Sequence, residues 1–153
     1  MELQKMSPTR LRAWWVALIW SVAGIGFGFT FFVGSGPAGF SGDSYRHLAG
    51  AVALAFGFLG YWLVLWMTRK KEGAPPVMDE RDLQIQARAN QATLIGVLLG
   101  IFALALGLWV FYEGAGQVPV GWMWFLAYGS VIMAFITSSV VTLILDKRMG
   151  GHG

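Results

Sequence analysis

Carboxylates and guanidinium groups crowd one stretch of this chain. The segment Pro75-Pro-Val-Met-Asp-Glu-Arg-Asp-Leu-Gln-Ile-Gln-Ala-Arg-Ala-Asn-Gln-Ala-Thr93 brings together Asp79, Glu80, Arg81, Asp82 and Arg88. Carboxylates beside arginines are able to move protons, cap a helix or meet the charges of a partner. No nucleophile or metal-ligand pattern accompanies them, so the sequence favours capping, surface pairing and docking over catalysis. A second candidate is Thr137-Ser-Ser-Val-Val-Thr142, the most polar stretch inside any apolar run. Its hydroxyls, on Thr137, Ser138, Ser139 and Thr142, can bond back to the carbonyl one turn earlier, cross to a neighbouring helix, or line a path for a substrate or ion. The two histidines, His47 and His152, fall on opposite sides of the expected membrane and cannot make a bis-His haem site within one protomer. His47 is expected to be a solvated helix-end residue. There is no cysteine, which excludes disulfides, thiolate nucleophiles, Cys-ligated zinc and iron–sulfur clusters. No cofactor and no metal is expected to be ligated by this chain alone.

The elements that must position these groups are four apolar runs, Trp14–Val33, Leu48–Met67, Thr93–Tyr112 and Trp122–Leu145, none of which contains Asp, Glu, Lys, Arg or His. A bilayer core about 30 Å thick is crossed by roughly 20 helical residues, so the expectation is an all-α, four-helix transmembrane bundle. Residues 1–153 read as a single integral membrane domain, because the longest stretch between spans, 68–92, is too short to build its own core. Ionisable groups inside a membrane usually mark proton relays, ion pathways or metal sites, and these spans offer none. Ten of the eleven Lys and Arg residues flank the outer ends of the two span pairs or lie between them, Arg46 being the exception. The positive-inside rule then puts both termini and residues 68–92 in the cytoplasm, in a multi-pass protein of the inner (cytoplasmic) membrane. The net charge of +3 reads as this topology signal rather than as affinity for nucleic acid. The first apolar run is too long for a signal peptide and is expected to remain as a helix.

Spans one and two form one helical hairpin and spans three and four another. The first outer loop, Gly34-Ser-Gly-Pro-Ala-Gly-Phe-Ser-Gly, is expected to be mobile or irregular. Asp43 or Ser41 can cap the second span. Trp14, Trp15, Trp62 and Trp66 mark the inner interface and Trp109, Trp122 and Trp124 the outer, with Trp20 deeper. Each span carries small residues along one face, and Gly24, Gly28, Gly57, Gly96, Gly100 and Gly107 are expected to let helices approach closely. Such stripes either close the bundle or face another protomer or a larger complex. Gly24-Ile-Gly-Phe-Gly28 lacks the strand a nucleotide fingerprint needs and reads as helix packing.

Pro75 and Pro76 break the helix leaving span two, and Asp79 can cap the next one, with Glu80 and Asp82 in its first turn where the macrodipole favours anions. No Gly or Pro intervenes from Val77 to Ile95, so that helix is expected to run unbroken into span three. Arg81, Ile85 and Arg88 share one of its faces, with Glu80 alongside, and this face is expected to dock a partner. Asp79-Glu80-Arg81 followed by Ile85 and Ala89 resembles the Asp-Glu-Arg-x-x-x-Ile-x-x-x-Ala segment that precedes a transmembrane hairpin in uncharacterised small multi-span families of bacteria and archaea. The resemblance implies architecture rather than an activity. The leading expectation is a non-enzymatic membrane protein acting through contacts, as an accessory subunit, regulator or sensor, with the bilayer and another membrane or cytoplasmic protein, or a second copy of itself, as partners. Two alternatives stay open: a small oligomeric transporter or channel along the hydroxyls of span four, and a quinone- or cofactor-associated subunit of a respiratory or photosynthetic complex.

Overall fold

The structure, a computed structural model, describes residues 8–68 and 80–150. Among the described residues all regular elements are helical: α1 (Pro8–Phe32), α2 (Gly36–Phe40), α3 (Ser44–Met67), α4 (Glu80–Tyr112), a 3-10 turn (Glu113–Ala115) and α5 (Gly121–Gly150). Four of these, α1, α3, α4 and α5, are long and apolar enough to cross a membrane. Lys5, the Arg69–Lys71 cluster, Pro75, Pro76, the expected cap Asp79 and His152 lie outside the described residues. α4 is a single helix of 33 residues, roughly 50 Å long. It has no break between Gln84 and Thr93, so the acidic start and the apolar span are one rigid body.

The two hairpins, α1 with α3 and α4 with α5, are joined where α1 packs on α5. α4 packs chiefly on α5 and leaves most of its apolar surface outward. In water that would be a liability; in lipid it is the expected solvent-facing side. The core lies along α1, whose Val16, Trp20, Ala23, Phe27 and Phe31 recur at three- and four-residue intervals and are all buried. The small face of span one closes the bundle only in part: a Cβ on Gly24 would stand 3.0 Å from Ile132, but Ser21 is exposed, and no atom lies within 4 Å of where a Cβ on Gly28 would stand. Large rings of α1 instead fill hollows on α3. A Cβ on Gly57 would stand 3.0 Å from the Trp20 ring, and one on Gly50 would stand 3.5 Å from Phe27. Moving seven residues forward along α1, from Trp20 to Phe27, moves the contact seven residues back along α3, as two antiparallel helices require. Trp20 then stacks on Phe135 of α5 at 4.3 Å with planes 3° apart, so one indole ties three helices together.

The first outer loop is folded, not irregular. α2 sits over the end of α1 and drives Phe40 fully into the core. Arg46 organises the loop from the first turn of α3, which Asp43 caps through the Tyr45 and Arg46 amides. Its guanidinium donates to the carbonyls of Thr30 (2.9 Å), Phe31 (2.7 Å) and Gly36 (3.3 Å) and to Ser35 Oγ (3.0 Å). A cation at a helix C-terminus satisfies carbonyls left without amide partners and meets the negative end of the dipole. Gly34 (φ 85°) makes the turn that lets this happen. His47 is also corrected: it is half-buried between Phe40 (4.8 Å) and Trp124 (4.9 Å) rather than solvated.

Candidate functional site

Charge and hydroxyl groups converge at one end of the bundle, the basic end, where α1 and α4 start and α3 and α5 finish. Arg81 extends from the first turn of α4 to the last turns of α5, where its Nη2 donates to the Asp146 carbonyl (3.1 Å) and pairs with Asp146 Oδ1 (3.2 Å). Asp146 is buried. Beneath this pair Ile85 and Ala89 are fully buried. The expected docking face is corrected here. Ile85 is a core residue and not an exposed anchor, and Arg81 is occupied within the chain, because α4 turns this stripe toward α5. Glu80 and Arg88 are exposed.

Below the ion pair lies a cavity of about 450 Å³. α1 contributes Thr9, Arg12, Ala13 and Val16, α4 contributes Gln86, Asn90 and Thr93, and α5 contributes Ser138, Ser139 and Thr142, with Tyr61 and Leu65 of α3 at one side. Among the described residues the lining thus holds one cation, two amides and several hydroxyls, and no carboxylate. Arg12 is positioned by α3: its Nε donates to Thr68 Oγ1 (3.0 Å) and its Nη2 to the Thr68 carbonyl (3.4 Å). Thr68 can hold it because α3 ends there with an unpaired carbonyl. The Thr9 hydroxyl is buried with no hydrogen-bond partner among the described residues.

The hydroxyls singled out in span four divide. Ser138 lines the cavity. Ser139 and Thr142 line it too, but their hydroxyls donate to the carbonyls of Phe135 and Ser138, 2.8 Å each. Thr137 turns its methyl group toward α4, 3.4 Å from the Cβ position of Gly96. Of the glycines, a Cβ on Gly24 would stand 3.0 Å from Ile132 Cγ2, and one on Gly100 would meet the flexible end of Met133 at 2.5 Å. Gly107, like Gly28, has no neighbour within 4 Å of its Cβ position, so neither makes the close helix approach expected of it; Gly28 lines the second cavity instead. Sequence reasoning missed Gly121, where a Cβ would run into the Pro37 carbonyl; on Gly60, part of the small-residue face of span two, a Cβ would stand 2.8 Å from Ile19 Cγ2.

A second cavity, about 420 Å³, lies between α1, α4 and α5 farther from the basic end and shares no lining residue with the first. Its walls are Gly24, Phe27, Gly28 and Phe32 of α1, Gly100, Ile101 and Leu104 of α4, and a floor from Phe125 to Ile136 of α5. Ser130 is its one hydroxyl, and that group already donates to the Ala127 carbonyl at 2.9 Å. The two linings interleave on α5, where Ala134, Phe135 and Ser138 face the first cavity and Ile132, Met133 and Ile136 the second. Among the described residues no group of three or more His, Cys, Asp or Glu is placed to hold a metal ion.

Residues 12–144 match the model of a family described as predicted membrane protein (DUF2178), and the chain belongs to that family. The description names a membrane protein and no activity. Neither a curated protein nor a solved structure matches the chain.

Proposed function

We propose that this member of the family is a non-enzymatic membrane protein that acts through contacts, as an accessory subunit, regulator or sensor. Its basic end faces the cytoplasm and offers a protein partner the exposed start of α4. The observation that carries this reading is the bracing of that segment. Arg81 bonded to Asp146, with Ile85 and Ala89 buried beneath, holds the first turns of α4 against α5. Glu80 and Arg88 therefore stand on a fixed platform rather than a loose linker, and a preorganised surface loses less entropy on binding. A transporter reading has weaker support. The polar cavity is bounded on α5 by Phe135, on which Trp20 stacks, and the second cavity, which shares no lining residue with it, is apolar. A quinone- or cofactor-associated role has the apolar cavity in its favour but no ligand directed at a cofactor.

The test is copurification from native membranes in mild detergent. A partner protein should appear in fixed stoichiometry, and Glu80→Ala with Arg88→Ala should lower it at least about tenfold with abundance and unfolding unchanged. A single species, monomer or homo-oligomer, whose composition ignores that double variant sinks the docking reading.

A further inference from the structure

We infer that the polar cavity at the basic end is a phosphate-binding site, with the phosphate seated on Arg12 and tying α1 to α4. Three observations converge on this ligand class. The first is charge. The cavity carries one guanidinium and no carboxylate among its described lining residues, so it is complementary to an anion. A guanidinium has five N–H donors. Thr68 takes the one on Nε and one on Nη2, which orients the group and leaves its Nη1–Nη2 end for a bidentate contact with an oxyanion. The second is an orphaned donor. Thr9 stands one turn before Arg12 on the same wall, is only 6% exposed, and its hydroxyl has no partner among the described residues. Buried hydroxyls nearly always have a partner, and a phosphate oxygen beside Arg12 would supply the acceptor.

The third observation is the spread of donors. Gln86 and Asn90 bring side-chain amides from α4, and Ser138 brings a hydroxyl from α5, to the cavity that Thr9 and Arg12 line from α1. Donors on three helices suit a tetrahedral group with several acceptor oxygens better than a planar carboxylate with two. α4 packs chiefly on α5, so a phosphate held from both sides would add a tie between α1 and α4 that the helices themselves do not make. The volume, about 450 Å³, falls within the range of small-molecule sites and leaves room for an organic body beside the phosphate. Arg12 lies just before the exposed pair Trp14 and Trp15, and such tryptophans sit at headgroup level. A phosphate can therefore reach Arg12 on a soluble molecule or on a lipid headgroup, with the same chemistry at the guanidinium. This inference does not depend on the docking role of Glu80 and Arg88.

The experiment is thermal unfolding of the full-length protein in neutral detergent, followed by helical circular dichroism at constant ionic strength. Two phosphate compounds are titrated against their phosphate-free counterparts: glycerol 3-phosphate against glycerol, and dihexanoyl phosphatidylglycerol against dihexanoylglycerol. A phosphate compound should raise the midpoint saturably, as a ligand of the folded state must, and its counterpart should not. A shift with glycerol 3-phosphate supports the site with a soluble source; a shift with phosphatidylglycerol alone supports it with a lipid headgroup as the source. Arg12→Gln should abolish the shift, but it also unties α1 from α3, so two further variants guard against a folding defect. Thr9→Val removes a hydroxyl that holds no described group in place. The unliganded variant should unfold no earlier than the unaltered protein, while the dissociation constant rises about tenfold, the size expected for a hydrogen bond to a charged group. Asn90 is exposed, so Asn90→Asp should fold normally, and the carboxylate it adds to the cavity should abolish the shift. The proposal is overturned if neither phosphate compound stabilises the protein more than its counterpart does. A shift that Asn90→Asp leaves unchanged overturns it too, as does a dissociation constant unmoved in a folded Thr9→Val variant, since the phosphate would then sit elsewhere.

Discussion

Gly57→Ala tests the arrangement that holds three helices together. The added methyl carbon would stand 3.0 Å from Trp20 Cη2 and Cζ3 and 3.1 Å from Cε3. Carbon atoms pack best at about 3.5–4.0 Å, so the ring must retreat by roughly 0.5–1 Å or α3 must move away. The ring has little room to retreat. Phe135 stacks on it at 4.3 Å, Phe58 meets it edge-on at 5.2 Å, and the residue has no exposed surface. Overpacking of this kind costs about 1–3 kcal/mol, a factor of roughly 5 to 140 in the unfolding equilibrium. The helix propensity gained on replacing glycine offsets at most about 1 kcal/mol, and Gly28→Ala, with nothing near its Cβ, isolates that gain. Both variants would be unfolded with SDS from mild-detergent micelles and followed by helical circular dichroism. Gly28→Ala should match or exceed the unaltered protein, and Gly57→Ala should fall below it. Trp20→Phe should then recover part of the loss in the Gly57→Ala background, because the two positions are in contact. Equal stability of the two alanine variants would refute the claim that Trp20 is clamped.

Arg46→Ala removes two hydrogen bonds to the end of α1 and two to the first outer loop, so amide exchange over 34–40 should accelerate strongly while α4 is unaffected; unchanged protection there would mean the loop orders itself. Arg81→Gln should cost about 1 kcal/mol or slightly more, since the pair is partly exposed, and adding Asp146→Asn should recover part of it. A recovery of zero would show that the bond to the Asp146 carbonyl, not the ion pair, is what matters. Because the chain has no cysteine, single cysteines at Ser41 and Gln84 report orientation directly. The first should react with an impermeant reagent from outside and the second only after the membrane is opened; the reverse pattern would invert the topology.

The sequence by itself determined the local and compositional features. Charge-free runs of sufficient length give the spans, since nothing but a helix satisfies the backbone within a single membrane segment. Asp43 as the cap of α3 and the unbroken course of α4 were legible for the same local reason: capping and helix continuation depend on residues within a turn or two. Which faces meet was decided only by the tertiary structure. In water a helix shows its buried face as an apolar stripe, but lipid is as apolar as a protein core, and α1 is apolar nearly all round. Small residues then mark places where close approach is allowed, not where it occurs. Gly57 receives Trp20, whereas nothing lies within 4 Å of a Cβ position on Gly28 or Gly107. Ile85 looked like an exposed anchor because its neighbours in sequence are charged, yet the rotation of α4 on α5 buries it completely. From sequence, Arg46 read as the one exception to topology-setting charge and Arg12 as part of it. Their roles in the fold, capping α1 from α3 and facing a polar cavity, join residues 16 and 56 positions apart. Long-range pairing of that sort is set by how the helices pack, a choice that no local pattern encodes.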